Sequence, residues 1–146
     1  MRFRHTKFVA FHDTDAMGVA HHGSYIHFFE EARVDWLREL GLMAIHIPQG
    51  PYIFAVADLN CQYLKPALFD DKLEIFVECR VDGARLEFRY AIWLERIEAY
   101  VATGVTRLVP MGRDLRVRRL PADAREKLAS LPWSEQWPPE ARVVNE

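Results

Sequence analysis

The densest group of reactive side chains in the chain lies in residues 12–25, which hold two aspartates, three histidines and two glycines. A carboxylate there could act as a general base or as a nucleophile, and an imidazole beside it could orient a reacting group. Gly18 and Gly23 would let the backbone come close to a ligand. The structural alternative is that Asp13 or Asp15 only forms an Asx turn while the histidines cap or pack.

Two other kinds of chemistry are less well supported by the same residues. Histidine and aspartate are competent metal ligands, but the adjacent His21 and His22 do not readily aim at one ion, and Cys61 and Cys79 are remote in sequence. We therefore predict no metal site. The sequence contains no G-x-S-x-G elbow, and neither cysteine stands in a basic setting, so a nucleophilic serine or cysteine is not favoured.

This group of residues runs into a predicted helix from Ser24 to Leu40. Apolar residues recur there at steps of three and four, which predicts one buried stripe on a helix whose other face is charged. The stripe consists of Tyr25, Phe28, Phe29, Ala32, Trp36 and Leu40. Ser24 is expected to cap the start and Gly41 the end. The unpaired N–H groups at the helix start, from Gly23 to Tyr25, could hold a substrate carbonyl or an oxyanion.

The rest of the chain reads as strands joined by tight turns. Period-two alternation and turn signals predict strands at 3–11, 52–64, 73–81, 86–94 and 99–110, a turn at 48–51, a short helix at 122–131 and an irregular tail from about 132. Phe76 is the one residue that breaks its strand's alternation, and Asp82-Gly83 is a hairpin signal. We therefore expect an α+β fold in which an antiparallel sheet curves around the long helix. Such a sheet leaves an edge and a face to cover, which favours a dimer.

Composition limits the class of protein. The 146 residues suit a single domain spanning 1–146, and half of them are apolar, enough for one core. With 19 basic and 21 acidic residues the net charge is −2, so nucleic acid is not an expected partner. No apolar run approaches the roughly 20 residues of a transmembrane helix, and the N-terminus lacks a secretory pattern. We expect a cytoplasmic location.

The run from Asp13 to Tyr25, D-T-D-A-M-G-V-A-H-H-G-S-Y, followed by F-F-E-E-A-R at 28–33, resembles the signature of hotdog-fold acyl-CoA thioesterases. It is similar to the 4-hydroxybenzoyl-CoA thioesterase class and to its YbgC-like branch. The resemblance extends over residues 5 to 130 and includes Tyr63-x-x-Pro66 and Asp70-Asp71. It implies a long central helix wrapped by a five-stranded antiparallel sheet, homodimers or dimers of dimers, and active sites at the subunit interface.

The resemblance also assigns roles residue by residue. It implies that Asp15 is the catalytic carboxylate and Asp13 is structural, that His22 lies beside the thioester, and that Tyr25 begins the helix that polarises the carbonyl. His21 stands where the family usually has an aromatic residue, and Met17 where a smaller residue is commoner. From the chemistry of the substrate we further predict substrate-binding roles for Gly18, Val19, Gly23, Ser24, Phe54, Val56 and Arg85, with Arg113, Arg116, Arg118 and Arg119 as further candidates for the phosphates of coenzyme A. The alternative for Phe54 and Val56 is that they are core residues, and for the arginines that they form a solvated charged face.

The sequence therefore predicts hydrolysis of an acyl-CoA or acyl-carrier-protein thioester, with no cofactor beyond the coenzyme A of the substrate. A carboxylate suits this reaction because the leaving thiol, with a pKa near 8.5, needs little acid assistance. Two alternatives remain open. One is a hotdog hydratase or dehydratase, which the motif spacing disfavours. The other is a non-catalytic acyl- or protein-binding module, which the retention of Asp15 and His22 disfavours.

Overall fold

The sheet and the helices follow the predicted order. The computed structural model describes residues 3–43 and 50–140. Within them lie strands β1 (Phe3–Phe8), β2 (Ile53–Tyr63), β3 (Lys72–Asp82), β4 (Arg85–Leu94) and β5 (Ala99–Met111), and helices α1 (Ser24–Glu39) and α2 (Ala122–Ala129). All strand pairs are antiparallel, in the order β1-β3-β4-β5-β2. Neither helix is long and apolar enough to cross a membrane.

The apolar stripe of α1 faces the sheet, as its spacing predicts. Phe28 and Phe29 are fully buried, and the Phe29 ring stacks on Tyr90 of β4 with centroids 4.4 Å apart. Gly104 of β5 makes room for this ring, because a Cβ at that position would overlap it. Near the other end of the helix, Trp36 stacks on Phe3 of β1 at 5.7 Å. These aromatic contacts fix the helix against the sheet and thereby fix the position of its first turn.

The two ends of α1 differ in how well the sequence predicted them. Gly41 has φ 73°, its N–H donates to the Arg38 carbonyl, and the Leu42 N–H donates to the Leu37 carbonyl, which confirms the left-handed C-terminal cap. The predicted Ser24 cap is wrong. Gly23 occupies the cap position, and the Ser24 hydroxyl donates instead to the carbonyl of Asp13 at 2.8 Å.

Several predicted boundaries need correction. β1 ends at Phe8 rather than at residue 11, and Phe11–Asp13 form a 3₁₀ turn. The strand ends there because Val9 bonds through its N–H to the Asp71 carbonyl and through its carbonyl to the Asp70 N–H, which leads the chain into a loop. The hairpin signal is confirmed by a two-residue connection between β3 and β4. Pro48 and Gln49 of the predicted turn lie outside the described residues.

The irregular C-terminal segment explains why Phe76 breaks the alternation of its strand. Residues 132–140 contain no helix or strand, as predicted, but they pack on the outer face of the sheet. There Trp137 joins a cluster with Phe76, Ala91, Trp93 and Tyr100. An apolar side chain on the outer face is therefore covered by the tail rather than by solvent.

Candidate active site

The turn that carries Asp15 is closed by main-chain hydrogen bonds. The Asp15 N–H donates to the Val19 carbonyl at 2.9 Å, and the Gly18 N–H donates to the Asp15 carbonyl at 3.0 Å. Gly18 has φ 77°, a left-handed conformation in which a side chain would be strained. Thr14 and Ala20 pair as an isolated bridge at the base of the turn. Residues 14–20 therefore hold the Asp15 backbone in a closed turn that precedes α1 in the chain.

The Asp15 side chain is half-buried and only partly engaged. Its Oδ1 accepts the Met17 N–H at 2.8 Å, which is the Asx turn that the structural alternative predicted. Its Oδ2 accepts no hydrogen bond from residues 3–43 or 50–140. One carboxylate oxygen is thus held while the other can meet a ligand, so the Asx turn and a chemical role are compatible.

Asp13, two residues earlier, is committed to the structure. It is 7% exposed, and its Oδ2 accepts the Ala10 N–H at 2.8 Å. Its carbonyl accepts two further hydrogen bonds, from the His21 N–H and from the Ser24 hydroxyl, each at 2.8 Å. Asp13 thereby ties the 3₁₀ turn to the beginning of α1. This arrangement agrees with the structural role that the family resemblance implies.

The two adjacent histidines are exposed and lie against each other. Their ring centroids are 4.0 Å apart. His21 Nδ1 accepts the Gly23 N–H at 3.0 Å, and the His21 carbonyl accepts the Ser24 N–H at 2.9 Å. Two of the amides predicted to polarise a substrate carbonyl are therefore engaged with His21. The His22 imidazole is bonded to no residue in the described part of the chain.

Beneath the histidines lie two tyrosines in edge-to-face contact, with centroids 5.2 Å apart. Tyr63 donates its hydroxyl to the His22 carbonyl at 2.7 Å. Burial, followed by a hydrogen bond with Cys61, raises the pKa of Tyr63 to about 12, so the phenol keeps the proton it donates. The Tyr25 hydroxyl accepts the Ala67 N–H at 3.3 Å, and burial raises the pKa of Tyr25 as well. The Tyr25 side chain is 3% exposed and supports the loop from below.

Three of the predicted substrate-binding residues lie at the other end of the sheet. Phe54 pairs with Pro110 and Val56 with Leu108, whereas Tyr63, which contacts the loop, pairs with Ala102. Nine residues of strand separate Phe54 from Tyr63, a distance of about 30 Å at roughly 3.3 Å per residue. One chain therefore gathers Asp15, Gly18, Val19, His22, Gly23, Ser24 and Tyr25 but keeps Phe54, Val56 and Arg85 apart from them.

Arg85 instead lines a cavity of about 300 Å³ between the β3–β4 hairpin and α2. Arg119, Arg125 and Glu126 line it too, with Leu86 and Pro110 among its apolar walls. Within residues 3–43 and 50–140, neither Arg85 nor Arg119 forms an ion pair. Of the arginine run considered for phosphate binding, Arg119 alone lines this cavity. Arg118 pairs with Asp114 at 3.5 Å, and Arg113 donates to the Gly50 carbonyl.

Comparison with known proteins settles the family. A family model described as the thioesterase superfamily matches residues 17–100. The chain belongs to this superfamily. The match begins two residues after Asp15 and includes His21, His22, α1, the strands β2, β3 and β4, and the start of β5.

Individual proteins are similar to most of the chain. The chain is 33% identical to the acyl-CoA thioesterase YbgC of Haemophilus influenzae over 72% of this chain and 79% of that protein. It is 27% identical to a DHNA-CoA thioesterase of Staphylococcus aureus, with a TM-score of 0.80 over 86% of this chain and 87% of that one. A 1,4-dihydroxy-2-naphthoyl-CoA thioesterase from Synechocystis shares the fold, with a TM-score of 0.81, 20% identity, and coverage of 89% and 97%. The predicted hotdog fold and thioesterase family are confirmed.

Sequence reasoning missed the residues that hold the loop from outside it. The sequence indicated Tyr63 and Asp71 only as members of motifs in the family resemblance. No sequence pattern indicated a supporting role for Ala67 or Arg96. Arg125 of the cavity was missed as well. All of these contacts join residues that are far apart in sequence, so no local pattern could have indicated them.

Proposed function

We propose that this superfamily member hydrolyses acyl-CoA thioesters, and that the Asp15 carboxylate performs the chemical step. The observation that carries this proposal is the contrast within one loop. Asp13 is buried and bonded, whereas Asp15 is fixed by its own backbone and keeps Oδ2 open. A carboxylate that is held in place and forms no ion pair within residues 3–43 and 50–140 is suited to accept a proton or attack a carbonyl.

Two routes lead to the same products. As a general base, Asp15 takes a proton from water while the water oxygen bonds to the thioester carbon, after which the carbon–sulfur bond breaks and the thiolate takes up a proton. As a nucleophile, Asp15 bonds to that carbon, expels the thiolate, and forms a mixed anhydride that water then cleaves. Neither route needs a strong acid for the leaving group, because a thiol has a pKa near 8.5.

The residues at the start of α1 orient the thioester in this proposal. We assign to His22 the orientation of the thioester or of Asp15, because its imidazole is exposed while its carbonyl is held by Tyr63. Gly18, Val19, Gly23 and Ser24 supply backbone around the carbonyl. The Gly23 N–H donates to His21, so a substrate carbonyl must compete with that imidazole for it. Tyr25 contributes by seating the first helical turn.

The arginine-lined cavity suits the phosphates of coenzyme A. One guanidinium group can donate two parallel hydrogen bonds to the oxygens of a phosphate. Within the described ranges, neither Arg85 nor Arg119 forms an ion pair with an acidic residue. The apolar walls beside them suit an adenine ring. Phosphate binding by Arg85, together with Arg119 and Arg125, is therefore part of the proposal.

A homodimer would bring the two ends of the sheet together. β2 is an edge strand that pairs only with β5 within the described chain, and Val56 and Leu59 on it are exposed. A two-fold axis that sets two β2 strands side by side and antiparallel places the Tyr63 end of one strand beside the Phe54 end of its partner. Each site would then combine Asp15 of one chain with Phe54, Val56 and Arg85 of the partner subunit.

The function is tested by mixing the protein with short, aromatic and long acyl-CoAs, and with acyl-carrier-protein thioesters, and following free thiol. We expect thiol release from at least one class. Release from acyl-carrier-protein thioesters but not from acyl-CoAs would mean that the acyl group is carried by acyl-carrier protein rather than by coenzyme A. Addition or loss of water across an enoyl double bond without thiol release would support the hydratase, and binding without turnover would support the acyl-binding module.

The two routes are separated by adding borohydride during turnover and examining the peptide that contains Asp15 by mass spectrometry. A mixed anhydride would be reduced, which converts the Asp15 side chain to an alcohol. Modification that depends on substrate would establish the nucleophilic route. An unmodified peptide from an enzyme that turns over would favour general-base catalysis.

A further inference from the structure

The loop that carries Asp15 is held by the segment from Leu64 to Asp71, which lies between β2 and β3. The Ala20 N–H donates to the Ala67 carbonyl at 2.8 Å, and Val19 pairs with Leu68 as an isolated bridge. The Val19 carbonyl in turn accepts the Asp15 N–H. The backbone position of Asp15 therefore follows that of Ala67 and Leu68.

That segment is itself anchored by one carboxylate. Asp71 Oδ2 accepts the Leu68 N–H at 2.7 Å. Arg96, on the turn between β4 and β5, donates through Nε to Oδ1 at 2.7 Å and through a terminal nitrogen to Oδ2 at 3.0 Å. The hydrogen bond from Arg96 is the main cause that holds the pKa of Asp71 below its ordinary value, so the carboxylate keeps its charge to lower pH than an ordinary aspartate does.

Apart from Ala67, which is fully buried, and the Phe69 ring, which contacts Phe11, the segment leaves its large apolar side chains well exposed. Leu68 and Phe69 are 40% and 54% exposed, so apolar burial holds few of its side chains. Asp70 stands at φ 66°, a left-handed conformation that costs free energy for a residue with a side chain. Hydrogen bonds therefore contribute to the shape of the turn: those of the Asp71 carboxylate, of Ala67 and between Asp70 and Val9, with the Val101 carbonyl holding the start of the segment.

We propose that the Asp71–Arg96 ion pair is a positioning element for catalysis, which sets the place of Asp15 through Leu68 and Val19. This inference rests on the proposed role of Asp15. Within the described residues the Arg96 side chain bonds to Asp71 and forms no hydrogen bond or ion pair with residues 14–20, and it is half-exposed, so the proposed effect on the reaction passes through Asp71. Displacement of a reacting group by about 1 Å can cost as much as 100-fold in rate.

The test compares Arg96→Gln and Arg96→Lys with the control Arg38→Gln, which removes an exposed ion pair with Asp35 near the far end of α1. We expect Arg96→Gln to lower kcat about 10-fold with KM nearly unchanged, because one positioning contact is lost. Arg96→Lys keeps the charge and should recover part of kcat. Arg38→Gln should leave kcat unchanged.

A double variant separates positioning from a general loss of folded enzyme. If Arg96 acts through Asp15, Arg96→Gln should not lower the residual kcat of Asp15→Asn any further. A similar fold-loss in both backgrounds would overturn the proposal, because a merely structural defect removes active enzyme whichever residue stands at 15.

Hydrogen exchange of the Ala20 amide tests the coupling without reference to activity. We expect exchange at Ala20 to be at least about 10-fold faster in Arg96→Gln and unchanged in Arg38→Gln, because the Ala67 acceptor is loosened in the first variant alone. Unchanged exchange in Arg96→Gln would overturn the proposal. If the wild-type protein released no thiol from any substrate, the proposed function would fail, while this measurement would still decide whether the ion pair controls the loop.

Discussion

The two ends of the sheet differ in charge and in what holds them. At one end, a carboxylate stands on a turn closed by its own backbone and supported from below by two tyrosines. At the other end, three arginines surround a cavity with apolar walls. In the proposed mechanism the first end does the chemistry and the second binds phosphates. In that proposal one chain carries two half-sites, one at each end of the sheet, and the two ends of β2 that mark them are about 30 Å apart at roughly 3.3 Å per residue.

Subunit complementation should give the largest effect, because it tests whether the two ends of the sheet meet in one site across a dimer. Asp15→Asn disables one end, and Arg85→Ala with Arg119→Ala weakens the other at least about 10-fold when the acyl-CoA concentration is kept well below the wild-type KM, the condition used for this test. In a 1:1 mixture of the two chains, half of the dimers are mixed and one of their two sites is intact, so activity should recover to about a quarter of wild type. Thiol release after unfolding and refolding the mixture measures this. Activity no higher than the mean of the two separate variants would contradict a site shared between chains.

Removing the arginines alone should change binding more than chemistry. Arg85→Ala with Arg119→Ala should raise KM by at least about 10-fold with little change in kcat, because charge-assisted hydrogen bonds to phosphate are worth about 1.5–3 kcal/mol each. Steady-state kinetics over a range of salt concentrations measures the effect, since KM of the wild type should also rise with salt. Arg116→Ala is the matched control. An equal rise in KM in the control would show that general surface charge, rather than the cavity, attracts the substrate.

In the core between the two ends of the sheet, an added side-chain group should lower the stability of the fold. Gly104→Ala should destabilise the fold by about 1–3 kcal/mol, because the new methyl group overlaps the Phe29 ring and the Asn60 carbonyl. Thermal unfolding measures this, with Thr103→Ala on the same strand as the control. A Tm for Gly104→Ala equal to that of the control would mean that Phe29 can move aside without cost.

The smallest expected effect is on how the stability of the fold depends on pH, through a contact between the sheet and the C-terminal segment. Burial alone would raise the pKa of Glu78, but hydrogen bonds from Ser134 and Arg89 outweigh it and lower the pKa below the ordinary 4.5. A carboxylate with a lowered folded pKa stabilises the fold above its unfolded pKa, and this contribution disappears as the pH falls through the folded pKa. Urea unfolding between pH 7 and 3 should therefore show that the free energy of unfolding falls less steeply with falling pH in Glu78→Gln than in wild type or in Glu39→Gln. The same dependence of the free energy of unfolding on pH in Glu78→Gln and in wild type would contradict the role of Glu78.

The elements that the sequence predicted best are those set by local patterns. The apolar spacing of α1, the left-handed Gly41 and the Asp82-Gly83 hairpin depend on neighbours within a few residues, and the structure confirms them. The end of β1 and the Ser24 cap were predicted wrongly, because contacts with Asp71 and Asp13 determine them. Long-range partners override local preference at both positions.

The candidate site was predictable to a similar extent. Residues that are close in sequence, Asp13 to Tyr25, could be recognised as one group. Their division of labour could not be worked out from the spacing alone, because the two aspartates differ in burial and in partners rather than in type. The supports from Tyr63, Asp71 and Arg96 depend on the sheet that brings them under the loop.

The central claim is that Asp15 reacts and Asp13 only supports. Its most direct test measures kcat for thiol release and Tm in Asp15→Asn and Asp13→Asn side by side. We expect Asp15→Asn to lower kcat at least about 100-fold with Tm unchanged, and Asp13→Asn to lower Tm while kcat per folded molecule stays within a few-fold of wild type. A value of kcat in Asp15→Asn that stays close to wild type would contradict it.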